Sequence, residues 1–136
     1  MGLLTLHHYG ILTDSTSEWL SENEVLLGKP FKISHIIKIS SQKADITFVE
    51  QKEGEVLTEL VEPWQDNHTL NKLIEKGVSA YHKGYLLSAG EFDEVVEMLV
   101  ERGFHSLGIF QSKAFGNRRC VFLVTINLGM IEIIEQ

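Results

Sequence analysis

The sequence predicts a single α+β domain over residues 1–136, with three helices packed on a mixed, mainly antiparallel sheet of about six or seven strands. Three observations carry that expectation. Residues 120–124 form an unbroken apolar run, Cys-Val-Phe-Leu-Val, as in a central strand covered on both faces. Residues 31–39 alternate between apolar and polar with only Ile36 out of phase, the period of a half-buried strand. Between such segments lie stretches with the apolar spacing of amphipathic helices. With 43% hydrophobic and 23% charged residues the chain has a globular composition, and dividing it in two would leave each half short of buried surface.

In chain order, residues 3–12 read as a strand stopped by Thr13-Asp14. Ser15 and Glu18 have the spacing of a capping box, opening a helix over 16–27 that buries Trp19, Leu20, Leu26 and Leu27. Gly28 and Pro30 end it. The alternating strand follows, with His35 in phase with Phe31, Ile33, Ile37 and Ile39. The first strand, the helix and this strand have room for a parallel crossover. Residues 44–50 and 56–61 form a hairpin around Gly54, across which Asp45 and Glu59 can face one another.

Asp66 or Asn67 caps a second helix whose Leu70, Leu73, Ile74, Val78 and Tyr81 fit one face. Gly77 lies on that stripe, where its cost of ~1 kcal/mol relative to alanine points to close approach of another backbone. Lys83-Gly84 stops the helix, and residues 85–87 are a short extended piece. Ser88 and Glu91 give a second capping box before a third helix with Phe92, Val95, Val96 and Leu99 inside. Gly103 ends that helix and Phe104 folds back on it. A final hairpin spans 106–114 and 119–127 about the Gly116-Asn117 turn, and residues 130–135 form an edge strand open to pairing with a second copy of the chain.

Several function classes are disfavoured. The net charge of −7 opposes general nucleic-acid binding, which draws its affinity from neutralised phosphates. No apolar run approaches the ~18 residues of a membrane span. The N-terminus has neither the basic start nor the apolar core of a signal peptide, and Leu6 departs from the lipidation pattern that Gly2 would begin. Cys120 stands alone, so no internal disulfide forms, and in a central strand its thiol is inert. These features together point to a reducing, cytoplasmic compartment.

Few residues offer chemistry. His8 is in phase with Leu4, Leu6 and Leu12, so His8 and His35 could share an interior pocket. His7 and His8, adjacent on a strand, should point to opposite faces. No Cys, Asp or Glu stands at ligand spacing beside His8 or His35, so neither a metal nor another cofactor is expected, and no serine lies in a nucleophile elbow. Asp93, Glu94, Glu97 and Glu101 fall within roughly 100° of the third helix without a lysine partner, a docking face for a basic protein. Lys113, Arg118 and Arg119 surround the hairpin turn, where they and the local backbone could hold a phosphate or carboxylate. The resulting expectation is a small, acidic, non-enzymatic protein that inhibits or regulates a basic partner. It is analogous to immunity proteins and antitoxins by charge and size only. The alternative is a small enzyme or ligand-binding domain with its pocket at His8 and His35 and an anion site at the hairpin tip.

Overall fold

The computed structural model describes residues 3–28 and 30–136, so Gly2 lies outside the described residues. The chain runs β1 (Leu4–Leu12), α1 (Thr16–Leu27), β2 (Lys32–Ile33), β3 (Ile37–Ile39), β4 (Ala44–Glu50), β5 (Leu57–Pro63), α2 (His68–Glu75), β6 (Ala80–Leu87), α3 (Phe92–Glu101), β7 (His105–Ser112), β8 (Arg118–Thr125) and β9 (Gly129–Ile134). The α+β class and three helices are as expected. The sheet has nine strands, in the order β2-β4-β5-β1-β6-β9-β8-β7 with β3 also on β4. That is more than the six or seven expected, and the sheet is mixed rather than mainly antiparallel because β6 and β9 run parallel. No described helix is long and apolar enough to cross a membrane.

The residues fall into two compact units, one ending at His8 and resuming over His82–Gln136, the other Tyr9–Tyr81. In the first, α3 buries Phe92, Val95 and Val96 against Val121 and Leu123 of β8 and Ile131 and Ile133 of β9. β8 lies between β7 and β9, and Cys120, Val121 and Leu123 are completely buried, which explains the unbroken apolar run. At the end of α3, Gly103 takes φ 101, its N–H donates to Val100 O, and the Phe104 N–H reaches Leu99 O. This paired closure satisfies carbonyls that the helix leaves open. The second capping box does not form: Glu91 is the N-cap without a side-chain bond, and the Ser88 hydroxyl bonds Thr5 instead. β9 is not an edge either. It pairs with β6 on one side and β8 on the other, so it offers no open edge to a second copy.

In the second unit, the Ser15 Oγ accepts from the Glu18 N–H at 3.2 Å, while the Ser15 N–H donates to Thr13 Oγ1, so only half of the capping box is made. The start of α1 is tied to β5 through the Thr16 N–H and Glu62 Oε1 (2.7 Å). No α1 residue is buried: Trp19 and Leu20 are half-buried, and Leu26 is 79% exposed. The expected burial of Leu26 and Leu27 fails because the helix is anchored at its first turns and its last turn is left in solvent.

The alternating stretch from Phe31 is two strands, not one. Ser34 breaks it by giving its N–H to Phe48 O and taking the Phe48 N–H on its own Oγ, both at 2.9 Å, so a side chain replaces the next ladder bond. β2 and β3 both pair with β4, and His35 lies exposed between them. In the β4–β5 hairpin, Asp45 stands opposite Glu62 and Glu59 opposite Phe48, so Asp45 and Glu59 are not a cross-strand pair.

Asn67 caps α2 by accepting the Leu70 N–H at 3.1 Å. The helix closes with the Gly77 N–H on Ile74 O and the Val78 N–H on Leu73 O. Gly77 has φ 84, and no atom lies within 4 Å of where a Cβ would sit. Positive φ, not a close backbone approach, is why glycine is needed. Val78 and Tyr81 lie beyond the helix, and Lys83-Gly84 belongs to β6 rather than stopping a helix.

Candidate metal centre

Three neighbouring strands, β1, β6 and β9, each place one buried polar side chain of the first unit at the same point. His8 comes from β1, His82 from β6 and Glu132 from β9, with exposures of 0%, 7% and 3%. The two Nε2 atoms are 3.0 Å apart, and Glu132 Oε1 lies 3.3 Å from that of His8 and 3.5 Å from that of His82. Gly84 makes the space. It pairs with Glu132 across the parallel ladder, and a Cβ on it would fall 1.9 Å from His8 Cε1. Any larger residue there would push the His8 ring out of place.

Aromatic rings surround the donors. Phe115 stacks on His8 with centroids 5.5 Å apart, and Phe122 meets His82 edge-on at 5.3 Å, itself stacked on Phe110. The low polarity of these walls strengthens electrostatic interactions inside. Burial alone would favour the neutral carboxyl of Glu132. The adjacent His8 and His82 rings outweigh it and hold the pKa below its ordinary 4.5, so the group is a carboxylate. Yet among the described residues no donor meets Glu132 Oε1 in hydrogen-bonding geometry, despite the nearness of both rings. A buried carboxylate oxygen left this way calls for a cation.

The donor types and spacing suit a divalent transition metal. Ligands about 2.0–2.2 Å from such an ion are separated by about 2.8–3.6 Å along the edges of an octahedron or tetrahedron, a range that includes the three distances found. Two imidazoles and one carboxylate are a common donor set for zinc and its first-row neighbours.

His7 extends the cluster. Instead of pointing away from His8, its ring meets that of His8 edge to face at 5.1 Å, with the two Nδ1 atoms 2.9 Å apart. Burial, then the neighbouring His8, lower the His7 pKa and favour its neutral form.

Of the residues singled out by sequence, His8 alone enters this centre. His35 is an exposed loop residue, so no strand carries it to an interior pocket. Asp93, Glu94, Glu97 and Glu101 are exposed on α3 as drawn, but Asp93 is not unpaired: Arg119 Nη1 donates to both of its oxygens at 2.9 and 3.1 Å. Arg119 also grips Glu135 at 3.2 and 2.7 Å and lies over the Phe92 ring. Bonds to Glu135 and then Asp93 raise its pKa further, so it stays charged and committed to these two acids. Of the cationic trio, Lys113 and Arg118 remain on the surface. The hairpin tip carries a 3-10 turn, Lys113–Phe115, whose Phe115 packs on His7 and His8.

Sequence reasoning missed His82, Glu132 and the role of Gly84. Glu132 did leave a signal, as the one charged residue in the run Ile131-Glu132-Ile133-Ile134. His82 was hidden inside a supposed helix end.

No protein-family model and no curated protein matches the sequence. Solved structures do match in fold. A hypothetical protein of Bacillus halodurans C-125 has TM-score 0.81 at 22% identity, covering 99% of this chain and 96% of that one. The methylmalonyl-CoA epimerase of Mycobacterium tuberculosis has TM-score 0.80 at 18% identity, covering 99% and 90%. A Streptomyces coelicolor methylmalonyl-CoA epimerase in complex with 2-nitronate-propionyl-CoA has TM-score 0.76 at 16% identity, covering 99% of each chain. These likenesses overturn the reading of the chain as an immunity-like inhibitor of a basic protein partner, and favour the alternative of an enzyme or ligand-binding fold: the chain has the fold of the methylmalonyl-CoA epimerases.

Proposed function

We propose that the protein is a metal-dependent enzyme that binds a divalent first-row transition metal through His8, His82 and Glu132. The observation that carries this reading is the convergence of two imidazole nitrogens and an unsatisfied carboxylate oxygen within 3.5 Å in a buried position. A bound ion would supply Lewis-acid polarisation of a substrate oxygen. The chain supplies the rest. His8 and His82 offer imidazole nitrogens, Glu132 brings negative charge, Gly84 leaves room for the His8 ring, and the Phe115 and Phe122 rings pack against the two histidines.

The fold neighbours and the centre together support one reaction class. Epimerisation of an acyl thioester removes and returns a proton beside a carbonyl, and a cation that polarises that oxygen lowers the cost of the charge that develops there. Methylmalonyl-CoA is therefore the first substrate to try. Protein purified without chelators should carry about one metal per chain, and added zinc, cobalt or nickel should raise the melting temperature of the stripped protein. His82→Ala and Glu132→Gln should abolish the rise. Wild-type activity should appear as deuterium uptake at the α-carbon in D2O. Failure of every metal to bind would sink the proposal, while metal binding without deuterium uptake would reject this substrate alone.

A further inference from the structure

The hydrogen-bonding partner of His8 Nδ1 is unusual. A histidine that binds a metal through Nε2 keeps its one ring proton on Nδ1, and the group accepting that proton fixes the tautomer and turns the ring toward the ion. A carboxylate or a backbone carbonyl commonly does this. Here the atom 2.9 Å from His8 Nδ1 is Nδ1 of His7, a distance normal for an N–H···N bond. The two rings stand perpendicular, and Phe115 contacts both, edge-on to His7 with centroids 5.7 Å apart and stacked on His8. His8 is fully buried while His7 is half-buried, so the pair leads from the centre toward the surface.

We infer that His7 is a positioning residue for the metal centre, accepting the Nδ1 proton of His8 on its own Nδ1 and so presenting the His8 Nε2 lone pair to the ion. This rests on the metal-binding reading. It fixes proton placement in the loaded protein: His8 is protonated on Nδ1, and neutral His7 on Nε2. His7 touches neither ion nor substrate. It acts by holding one tautomer and one orientation of a ligand ring, and the Phe115 ring shields the bond that does so.

The test compares wild type, His7→Leu and His7→Gln. Leucine keeps most of the volume and removes the acceptor, whereas the glutamine amide oxygen can still accept. In chelator competition with zinc, His7→Leu should bind about 10–100-fold more weakly, and His7→Gln should recover most of that loss. Nuclear magnetic resonance of the nitrogen-15-labelled protein reads the bond directly. A coupling between the two Nδ1 nuclei should be present with and without zinc, and zinc-loaded His8 should carry its proton on Nδ1. Equal zinc affinity in wild type and His7→Leu, or equal weakening in both variants, overturns the inference, as does a zinc-loaded His8 protonated elsewhere. A wild type that shows the coupling but takes up no zinc would sink the metal reading and leave the His7–His8 bond standing. Absence of the coupling from the zinc-free protein overturns the inference itself.

Discussion

The two units share an element order and differ in how they are filled. Each has a helix followed by further strands: α1 and β2 to β5 in one, α3 and β7 to β9 in the other. α3 buries Phe92, Val95 and Val96 on a single stripe, whereas α1 buries nothing and leaves Val25 and Leu26 about four-fifths exposed. The trailing strands differ in the same direction. β7 and β8 are eight residues each, while β2 and β3 together hold five. The unit with the deeper core is also the one that carries His8, His82 and Glu132. The lesson is that a donor set needing sub-ångström placement is held by strands whose opposite face is fully packed: Val121, Leu123, Ile131 and Ile133 support one side of the sheet, and Phe122 and Glu132 occupy the other.

The largest expected effect tests that support. Leu123 is completely buried beneath α3, and Leu123→Ala should cost about 2–5 kcal/mol in denaturant unfolding. A cost below about 1 kcal/mol would mean that the first unit is no better packed than the second. Gly84→Ala should come next, at about 1–3 kcal/mol, because the new methyl would occupy the place of a buried ring. It should also weaken zinc uptake, measured by chelator competition, since His8 cannot keep its position. Stability lost with zinc affinity intact would show that the ring has another place to go.

Acid unfolding separates the centre from the packing. The folded pKa of Glu132 is depressed below 4.5, so its contribution is fully present above pH 4.5 and is lost as pH falls through the lower folded value. Glu132→Gln should flatten the fall in stability of the metal-free protein in that range, and Leu123→Ala should leave its shape unchanged. The same curve in wild type and Glu132→Gln would remove the carboxylate assignment.

How far the sequence could be read follows the same division. Periodicity located α3, its buried face and the central position of Cys120, because each of these is a local pattern with a packed counterpart. It failed where one side chain redirected the backbone, as Ser34 does between β2 and β3. It failed again at residues 78–84, where apolar spacing suited a helix but the Gly77 closure ended α2 at Glu75 and released the chain into β6. The centre was almost illegible. His8 and His82 are 74 residues apart, and only strand order brings them together, which no spacing rule encodes. The lone acid in Ile131-Glu132-Ile133-Ile134 was the best clue, since a charge in a fully buried strand requires a partner.

The smallest expected effect lies on α1. Leu26 is 79% exposed, and the helix is fixed at its other end by the Ser15 cap and by the Thr16 bond to Glu62. Leu26→Ser removes little buried area and should therefore change stability by no more than about 0.5 kcal/mol. Serine is a poorer helix former than leucine, but near the C-terminal end that difference is a few tenths of a kcal/mol at most. Glu62→Gln is the internal control. It keeps the shape at the start of the helix and weakens a charge-assisted bond, so it should cost more than Leu26→Ser, about 1 kcal/mol. If the order is reversed, with Leu26→Ser the more damaging, then the last turn of α1 is buried in solution and the contrast between the two units disappears.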